Sequence, residues 1–211
     1  MLRPTVSLLL TSVLMGACAD PIAPEAEDPT WATTLDKACD SSAAATSLPK
    51  AKLDEIGPYR GHPYMDSQVA EIARQVPGGW GGLYYERAAG RQQGALTIVL
   101  VDPTQRDRAV EALSRLFRGT GWERLIPELP NAVVQQGRWD FAQLFDWYRY
   151  LNRHVGQEPG VTMSDIQESK NRIEYGVADE AARARLTRRL QGLNLPCFLV
   201  AIDIVPPAQT R

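Results

Sequence analysis

The order of hydrophobic and polar positions over residues 161–205 predicts a strand, a tight turn, a second strand, a helix and a third strand. Apolar positions flank a polar turn at residues 168–171, and the helix is expected to begin near Asp179 and to end at about Gln191. Residues 197–205 then form an almost unbroken apolar run with β-branched residues, which is typical of a strand buried on both faces. The pattern predicts a small helix-on-sheet unit.

An earlier stretch predicts a similar unit. Residues 83–86 and 96–101 are expected to pair as a hairpin, and Asp102 is expected to cap an amphipathic helix that follows. Hairpin, acidic cap and helix therefore occur twice, as a structural repeat without sequence similarity. We expect an α+β fold, with small, mainly antiparallel sheets packed against amphipathic helices. The domain is predicted over residues 51–211, with 51–130 and 131–211 as two subdomains.

Four glycines surround Trp80, at positions 78, 79, 81 and 82. This loop does not have the pattern of a phosphate-binding loop, because no Gly-Lys-Ser/Thr follows and the next predicted element is a strand. The glycines instead predict a tight turn that leads into the first hairpin.

A helix is predicted from Asp140, with Gln143 at the capping-box position, to about Val155. Trp147 and Tyr150 fall on a second face of this helix, away from its main apolar stripe. One interpretation is that they belong to the domain core. The other is that they form a partner surface, because aromatic residues are enriched at the centres of protein interfaces.

The first residues have the pattern of an export signal. Arg3 precedes a short apolar segment over residues 6–15, which is too short to span a bilayer, and residues 15–18 resemble a bacterial lipoprotein signal. The sequence thus predicts a signal peptide over residues 1–18, a lipid on Cys18, a membrane-anchored extracytoplasmic protein and a disordered linker over residues 19–50. The alternative is ordinary cleavage, which gives a secreted or periplasmic soluble protein.

Export to an oxidising compartment would permit a disulfide bond between Cys39 and Cys197. A bridge that closes a loop of this length could stabilise the fold by roughly 4–5 kcal/mol in the chain-entropy model. The alternative is that Cys197 is a small buried hydrophobic residue and that Cys39 has no structural role.

Composition and reactive residues give little support to catalysis. The 211 residues include 23 basic and 25 acidic side chains, a balance that argues against a dedicated nucleic-acid-binding protein. The two histidines, His62 and His154, are far apart in the sequence, and neither a metal-spaced cluster nor a Gly-x-Ser-x-Gly motif occurs. We therefore predict no catalytic residue, no cofactor and no metal. Asp203, inside the last strand, would need a partner such as an arginine if it is buried.

Several short motifs follow one another between residues 76 and 177. They are Gly78-Gly79-Trp80-Gly81-Gly82-Leu83-Tyr84 before an apolar strand ending in Val101-Asp102, a helix, Val133-Val134, Phe141 with Leu144, and Gly160-Val161 with Asp165 and Asn171-Arg172-Ile173. This order resembles the pro-regions of bacterial chymotrypsin-like serine proteases of the streptogrisin and α-lytic protease type. The resemblance implies small antiparallel sheets packed on helices, and a domain that assists and inhibits a protease and binds through a sheet edge.

No protease domain follows Arg211 in this sequence, so we expect a stand-alone domain. The preferred hypothesis is a non-enzymatic binding or inhibitor-like domain whose partner is an exported protease or an envelope protein. The alternative hypothesis is a hydrolase or another enzyme that uses scattered carboxylates in a cleft.

Overall fold

The computed structural model describes residues 45–61, 65–86 and 94–205. Among these residues the chain forms five α-helices and six β-strands. The helices are α1 (Lys50–Ile56), α2 (Met65–Ala73), α3 (Arg106–Leu116), α4 (Phe141–Val155) and α5 (Glu180–Gln191). The strands are β1 (Trp80–Tyr85), β2 (Leu96–Leu100), β3 (Val133–Gln136), β4 (Val161–Gln167), β5 (Arg172–Val177) and β6 (Val200–Ile204).

The strands form two three-stranded sheets with the same topology. In the first sheet β2 lies between β1 and β3, antiparallel to β1 and parallel to β3. In the second sheet β5 lies between β4 and β6 in the same two orientations. The expected α+β class is confirmed. The sheets are mixed rather than mainly antiparallel, because a helix returns the chain across the sheet before each third strand.

The predicted structural repeat is present as two hairpin-helix-strand units. The first unit consists of β1, β2, α3 and β3 (residues 80–136), and the second unit consists of β4, β5, α5 and β6 (residues 161–204). Helix α2 precedes the first unit and helix α4 precedes the second. The predicted boundary between residues 130 and 131 would separate β3 from its own sheet, so the sheet pairing contradicts a division at that point.

Short polar side chains fix the starts of the helices as the sequence suggests. Asp140 accepts a hydrogen bond from the backbone nitrogen of Gln143, whose side chain accepts one from the backbone nitrogen of Asp140, so the predicted capping box is formed. Asp179 caps α5 by accepting a hydrogen bond from the nitrogen of Ala182. Asp102 caps a 3₁₀ turn rather than α3 itself, which begins at Arg106.

One hydrophobic cluster includes side chains from both units and from the helices that precede them. Helix α4 is the element that joins them, because it packs against α2, β1, β4 and β5. Its side chains Phe141, Leu144 and Leu151 are fully buried, which confirms the apolar stripe read from the sequence.

Two predicted boundaries need correction. Residues 45–50 were assigned by composition to the linker, yet they lie against α4, and Leu48 is only 3% exposed. The last strand begins at Val200 rather than at Cys197, because Phe198 adopts a left-handed backbone with φ of 62°, outside the extended region of regular strands. The predictions for the signal peptide, Cys18, Cys39 and His62 fall outside the described residues.

Within the described part of the chain, no helix is both long enough and apolar enough to cross a membrane.

Candidate functional site

Helix α4 carries the two aromatic residues that the sequence marks as a partner surface. Trp147 is 1% exposed and Tyr150 is 5% exposed, so neither is available at the surface of this conformation. They are covered by residues 45–57 of the same chain, which we call the strap. The indole nitrogen of Trp147 donates a hydrogen bond of 3.0 Å to the carbonyl of Thr46. In this conformation both side chains therefore lie in the core rather than on an open surface, and no local sequence pattern indicates that the strap docks over them.

The strap is held along α4 mainly by contacts to its backbone. Arg149 donates to the carbonyl of Gly57 at 2.7 Å, and Arg153 donates to the carbonyl of Glu55 at 3.2 Å. With the bond from Trp147 to Thr46, three α4 side chains therefore bind strap carbonyl groups. Proteins that recognise peptides use such main-chain bonds for affinity, and they use pockets for particular side chains to obtain specificity.

Side chains of the strap make the remaining contacts. Ser47 accepts a hydrogen bond of 2.9 Å from Gln143, and a carboxylate oxygen of Glu55 lies 2.9 Å from Nε2 of His154. His154 is in the last turn of α4, where a positive charge is favoured by the helix dipole. The two ends of the strap are thus tied to opposite ends of α4.

Lys52 makes the most specific strap contact. Its ammonium group lies 4.9 Å from the ring centroids of both Trp147 and Tyr150, and it donates a hydrogen bond of 2.6 Å to the carbonyl of Leu193. The two rings meet nearly at right angles, at 81°, so the ammonium faces an aromatic corner. Burial lowers the pKa of Lys52, and the nearby Glu55 opposes that shift. Two aromatic rings and a carbonyl oxygen form an ammonium-binding site.

The strap has little structure of its own to keep it in place. Helix α1 has seven residues and none of them is buried. Helices shorter than about 12 residues are marginal in water, so α1 depends on its contacts with α4. The one intrahelical ion pair, Lys50 with Asp54, joins two exposed side chains and adds little stability.

A second candidate region lies where the turn of the second unit meets β1 and the segment that joins the first unit to α4. The side-chain oxygen of Asn171 accepts hydrogen bonds of 2.7 Å from the backbone nitrogens of both Arg138 and Trp139. Its side-chain nitrogen donates to the carbonyl of Trp139 at 2.8 Å. Asn171 is buried and has a φ of 50°, which asparagine tolerates better than most residues. This residue is the polar joint between the units.

The glycine-rich loop makes room for that joint. A Cβ atom on Gly81 would lie 2.6 Å from the side-chain nitrogen of Asn171, and one on Gly82 would lie 2.5 Å from Cγ of Glu168. Gly78 and Gly79 have φ values of 83° and 69°, so the predicted tight turn before the first strand is confirmed for them. The sequence does not indicate that Gly81 and Gly82 leave space for the turn at residues 168–171.

Three carboxyl groups near this joint have raised pKa values. Burial raises the pKa of Glu168 to about 7, and the charges of Asp165 and Asp66 add to the effect. Burial also raises the pKa of Asp165 and of Asp66, the latter with help from Asp165. A carboxyl group with a pKa near neutrality is suited to proton transfer. Among residues 45–61, 65–86 and 94–205, no group of three or more His, Cys, Asp and Glu side chains could hold a metal ion.

The other residues that the sequence marks lie apart from these regions. Cys197 forms a disulfide bond, and its pairing with Cys39 stays a prediction because no other cysteine is among the described residues. Asp203 has Lys170 as a cationic neighbour, at 3.6 Å, which provides the partner that the sequence requires for this residue. Lys170 also contacts Glu174 at 3.1 Å, which explains how a half-buried carboxylate is tolerated in the last strand.

No protein-family model and no curated protein matches this sequence. The resemblance to protease pro-regions therefore stays a prediction from the short motifs.

Proposed function

We propose that this chain is an exported, lipid-anchored, non-enzymatic binding or inhibitor-like domain. The observation that supports the proposal best is the way in which α4 holds the strap. Three α4 side chains donate hydrogen bonds to backbone carbonyl groups of the strap, and the rings of Trp147 and Tyr150 contact the ammonium group of Lys52. A helix face that binds a peptide of its own chain in this way has the chemistry required to bind a peptide of another protein.

An exported protease or an envelope protein is the partner class that we propose. The resemblance of residues 76–177 to protease pro-regions supports this class, and the export signal brings the domain to the same compartment. The edge strands β1, β3, β4 and β6 provide additional backbone groups through which a partner strand could be added to a sheet. Lipid on Cys18 would hold the domain at the membrane where such partners act.

Capture of partners from the exported and envelope fractions tests the proposal. The full chain is used as bait and as an inhibitor of exported serine proteases. We expect recovery of a protein partner, or inhibition of a protease at stoichiometric amounts. If neither is seen under conditions that preserve the fold, the proposal is wrong.

The lipid anchor needs a separate measurement. Metabolic labelling with a radioactive or clickable fatty acid should mark the wild-type chain, and the label should disappear in Cys18→Ala. Label that remains in Cys18→Ala would contradict the predicted anchor without affecting the binding proposal.

An enzyme that uses carboxylates is the second candidate, and the raised pKa of Glu168 beside Asp165 favours it. A panel of glycoside, ester and peptide substrates would test it across a range of pH. Hydrolysis that depends on a group with a pKa near 7, and that is lost in Glu168→Gln but kept in Glu128→Gln, would support the enzyme. Absence of hydrolysis across the panel would dismiss it.

A further inference from the structure

We infer that the strap is a built-in competitor for the α4 face, and that the partner segment bound there carries an apolar side chain followed four residues later by a lysine or arginine. The inference rests on the proposed binding function, and it names both the site and the chemistry of the partner.

Leu48 and Lys52 make the contacts by which the strap is most deeply held, while Leu53 and Ile56 pack half-buried against the core. Leu48 is 3% exposed and joins the hydrophobic core, and Lys52 places its ammonium group between the rings of Trp147 and Tyr150. These residues are four positions apart, and no residue of α1 is buried. An apolar anchor and a cation at this spacing are therefore the features that the α4 face selects.

The hydrogen bonds to the strap backbone do not depend on the identity of the strap side chains. The carbonyl groups of Thr46, Glu55 and Gly57 are backbone acceptors that any segment of similar path would supply. The charge around the site adds one preference. Glu55 meets His154 at 2.9 Å, with Arg153 beside it, so an acidic residue three positions after the lysine would complement this end of α4.

Release of the strap would create an interaction surface. Trp147 and Tyr150 would lose the cover of Lys52 and Thr46, and adjacent exposed aromatic rings mark protein interaction sites. Helix α1 adds little to hold the strap, because it is short and has only exposed or half-buried residues, and Leu48 is the one fully buried anchor to be released. Because the strap occupies the same face, the apparent dissociation constant of a partner equals its intrinsic value divided by the fraction of molecules in which the strap is released.

A labelled peptide provides the test. The probe is a fluorescein-labelled synthetic peptide with the sequence of residues 45–58, and its binding is followed by fluorescence anisotropy. The proteins are the full wild-type chain and the full-length double variant Leu48→Ala with Lys52→Ala, whose fold is checked by circular dichroism and thermal unfolding. We expect the peptide to bind the double variant about tenfold more tightly than the wild type. A peptide in which alanine replaces Lys52 should bind about fivefold more weakly than the probe, and one in which alanine replaces Lys50 should bind as the probe does.

A matched pair of single variants keeps the test decisive if the double variant is unstable. Lys52→Met removes the cation from the aromatic corner, whereas Lys50→Met removes an exposed lysine that pairs only with Asp54 on the same helix. The probe should bind Lys52→Met more tightly than the wild type, and it should bind Lys50→Met as it binds the wild type. Equal binding to both single variants would overturn the inference.

Other outcomes overturn it as well. Equal affinity of the probe for the wild type and the double variant would show that the strap does not compete. Equal affinity of the probe and of the peptide with alanine at position 52 would show that the aromatic corner does not select a cation. A probe that binds as expected, while the exported fractions yield no partner, would refute the proposed function and leave the peptide site in place. A partner that is captured equally by the wild type and Lys52→Met, with no probe binding, would refute only this inference.

Discussion

The two units have the same topology and differ in how their hairpins are closed. In the first unit, residues 86–95 connect β1 to β2, whereas in the second unit the chain turns sharply at residues 168–171. The short turn reaches across to β1 of the first unit, and Asn171 binds the backbone of Arg138 and Trp139 in the segment that follows this unit. A topology that is repeated therefore does not make a symmetrical interface: one unit provides a polar side chain, and the other provides glycines that leave space for it.

The units also differ in the path from their helix to their last strand. In the first unit, the chain between α3 and β3 includes 3₁₀ turns at Glu123–Leu125 and Leu129–Asn131. In the second unit, residues 192–199 make the connection and carry the disulfide cysteine Cys197. A covalent bond can thus hold the second connection, while the first is held by packing and hydrogen bonds.

The largest expected effect comes from removal of the disulfide. If Cys39 is the partner of Cys197, Cys39→Ser should lower the free energy of unfolding by about 4 kcal/mol, because the unfolded chain regains the entropy of a long loop. Denaturant unfolding of the exported protein, with alkylation to count its thiols, would measure this. Cys18→Ser is the matched control and should leave the unfolding curve unchanged. A loss confined to the Cys18 variant would refute the pairing.

Asn171→Ala tests the polar joint. The substitution removes three hydrogen bonds to buried or half-buried backbone groups of Arg138 and Trp139, so the free energy of unfolding should fall by about 3 kcal/mol. Asn194 is the control, since it has a similar φ of 48° but is exposed. Asn194→Ala should lose only the local preference for a left-handed backbone, about 1 kcal/mol. Equal losses in urea denaturation would show that backbone conformation, rather than the joint, is what Asn171 supplies.

Gly81→Ala tests the other side of the same interface. The new methyl group would lie 2.6 Å from the side-chain nitrogen of Asn171 and 2.7 Å from the carbonyl oxygen of Trp139, so the units would have to separate. We expect a loss of about 2 kcal/mol in the free energy of unfolding, measured by thermal or urea denaturation. Gly121→Ala meets no atom within 4 Å and should change stability by less than about 0.5 kcal/mol. A stable Gly81→Ala would mean that the turn is not tightly packed.

The smallest expected effect is a dependence on pH. Burial raises the pKa of Glu168 from its ordinary 4.5 to about 7, so the folded protein keeps a proton that the unfolded chain releases. The stability that this carboxyl group contributes is complete below about pH 4.5, and it is lost as the pH rises towards 7. Because the side chain is half-buried, we expect a change of about 1 kcal/mol over this range.

Glu168→Gln should remove that dependence and should stabilise the protein at pH 7.5 relative to the wild type. Urea denaturation at intervals between pH 4.5 and 7.5 is the measurement. Asp107→Asn, at an almost fully exposed side chain, is the control that should leave the pH profile unchanged. A wild-type profile that rises from pH 4.5 to 7 would contradict the assignment to Glu168.

Local sequence patterns were sufficient for most elements of the fold, with helix α1 as the exception. The apolar stripe of α4, the caps at Asp140 and Asp179 and the polar turn at residues 168–171 depend on neighbours within one or two turns of chain. The repeat could be predicted for the same reason, because each unit repeats an order of local signals. The parallel pairing of the third strand in each sheet could not be predicted, because the residues of a strand do not specify which other strand it pairs with or in which direction.

The sequence alone indicates most of the helices and strands, their order and the lack of a familiar reactive motif, because these follow from side-chain periodicity and residue type; helix α1 is not among them. The packing of the folded chain shows that residues 45–57 cover Trp147 and Tyr150, that Asn171 connects the turn to the segment before α4 and that Gly81 and Gly82 make room for the turn. These contacts join residues that are far apart in the chain, and their free energy depends on distances between atoms that no local pattern contains.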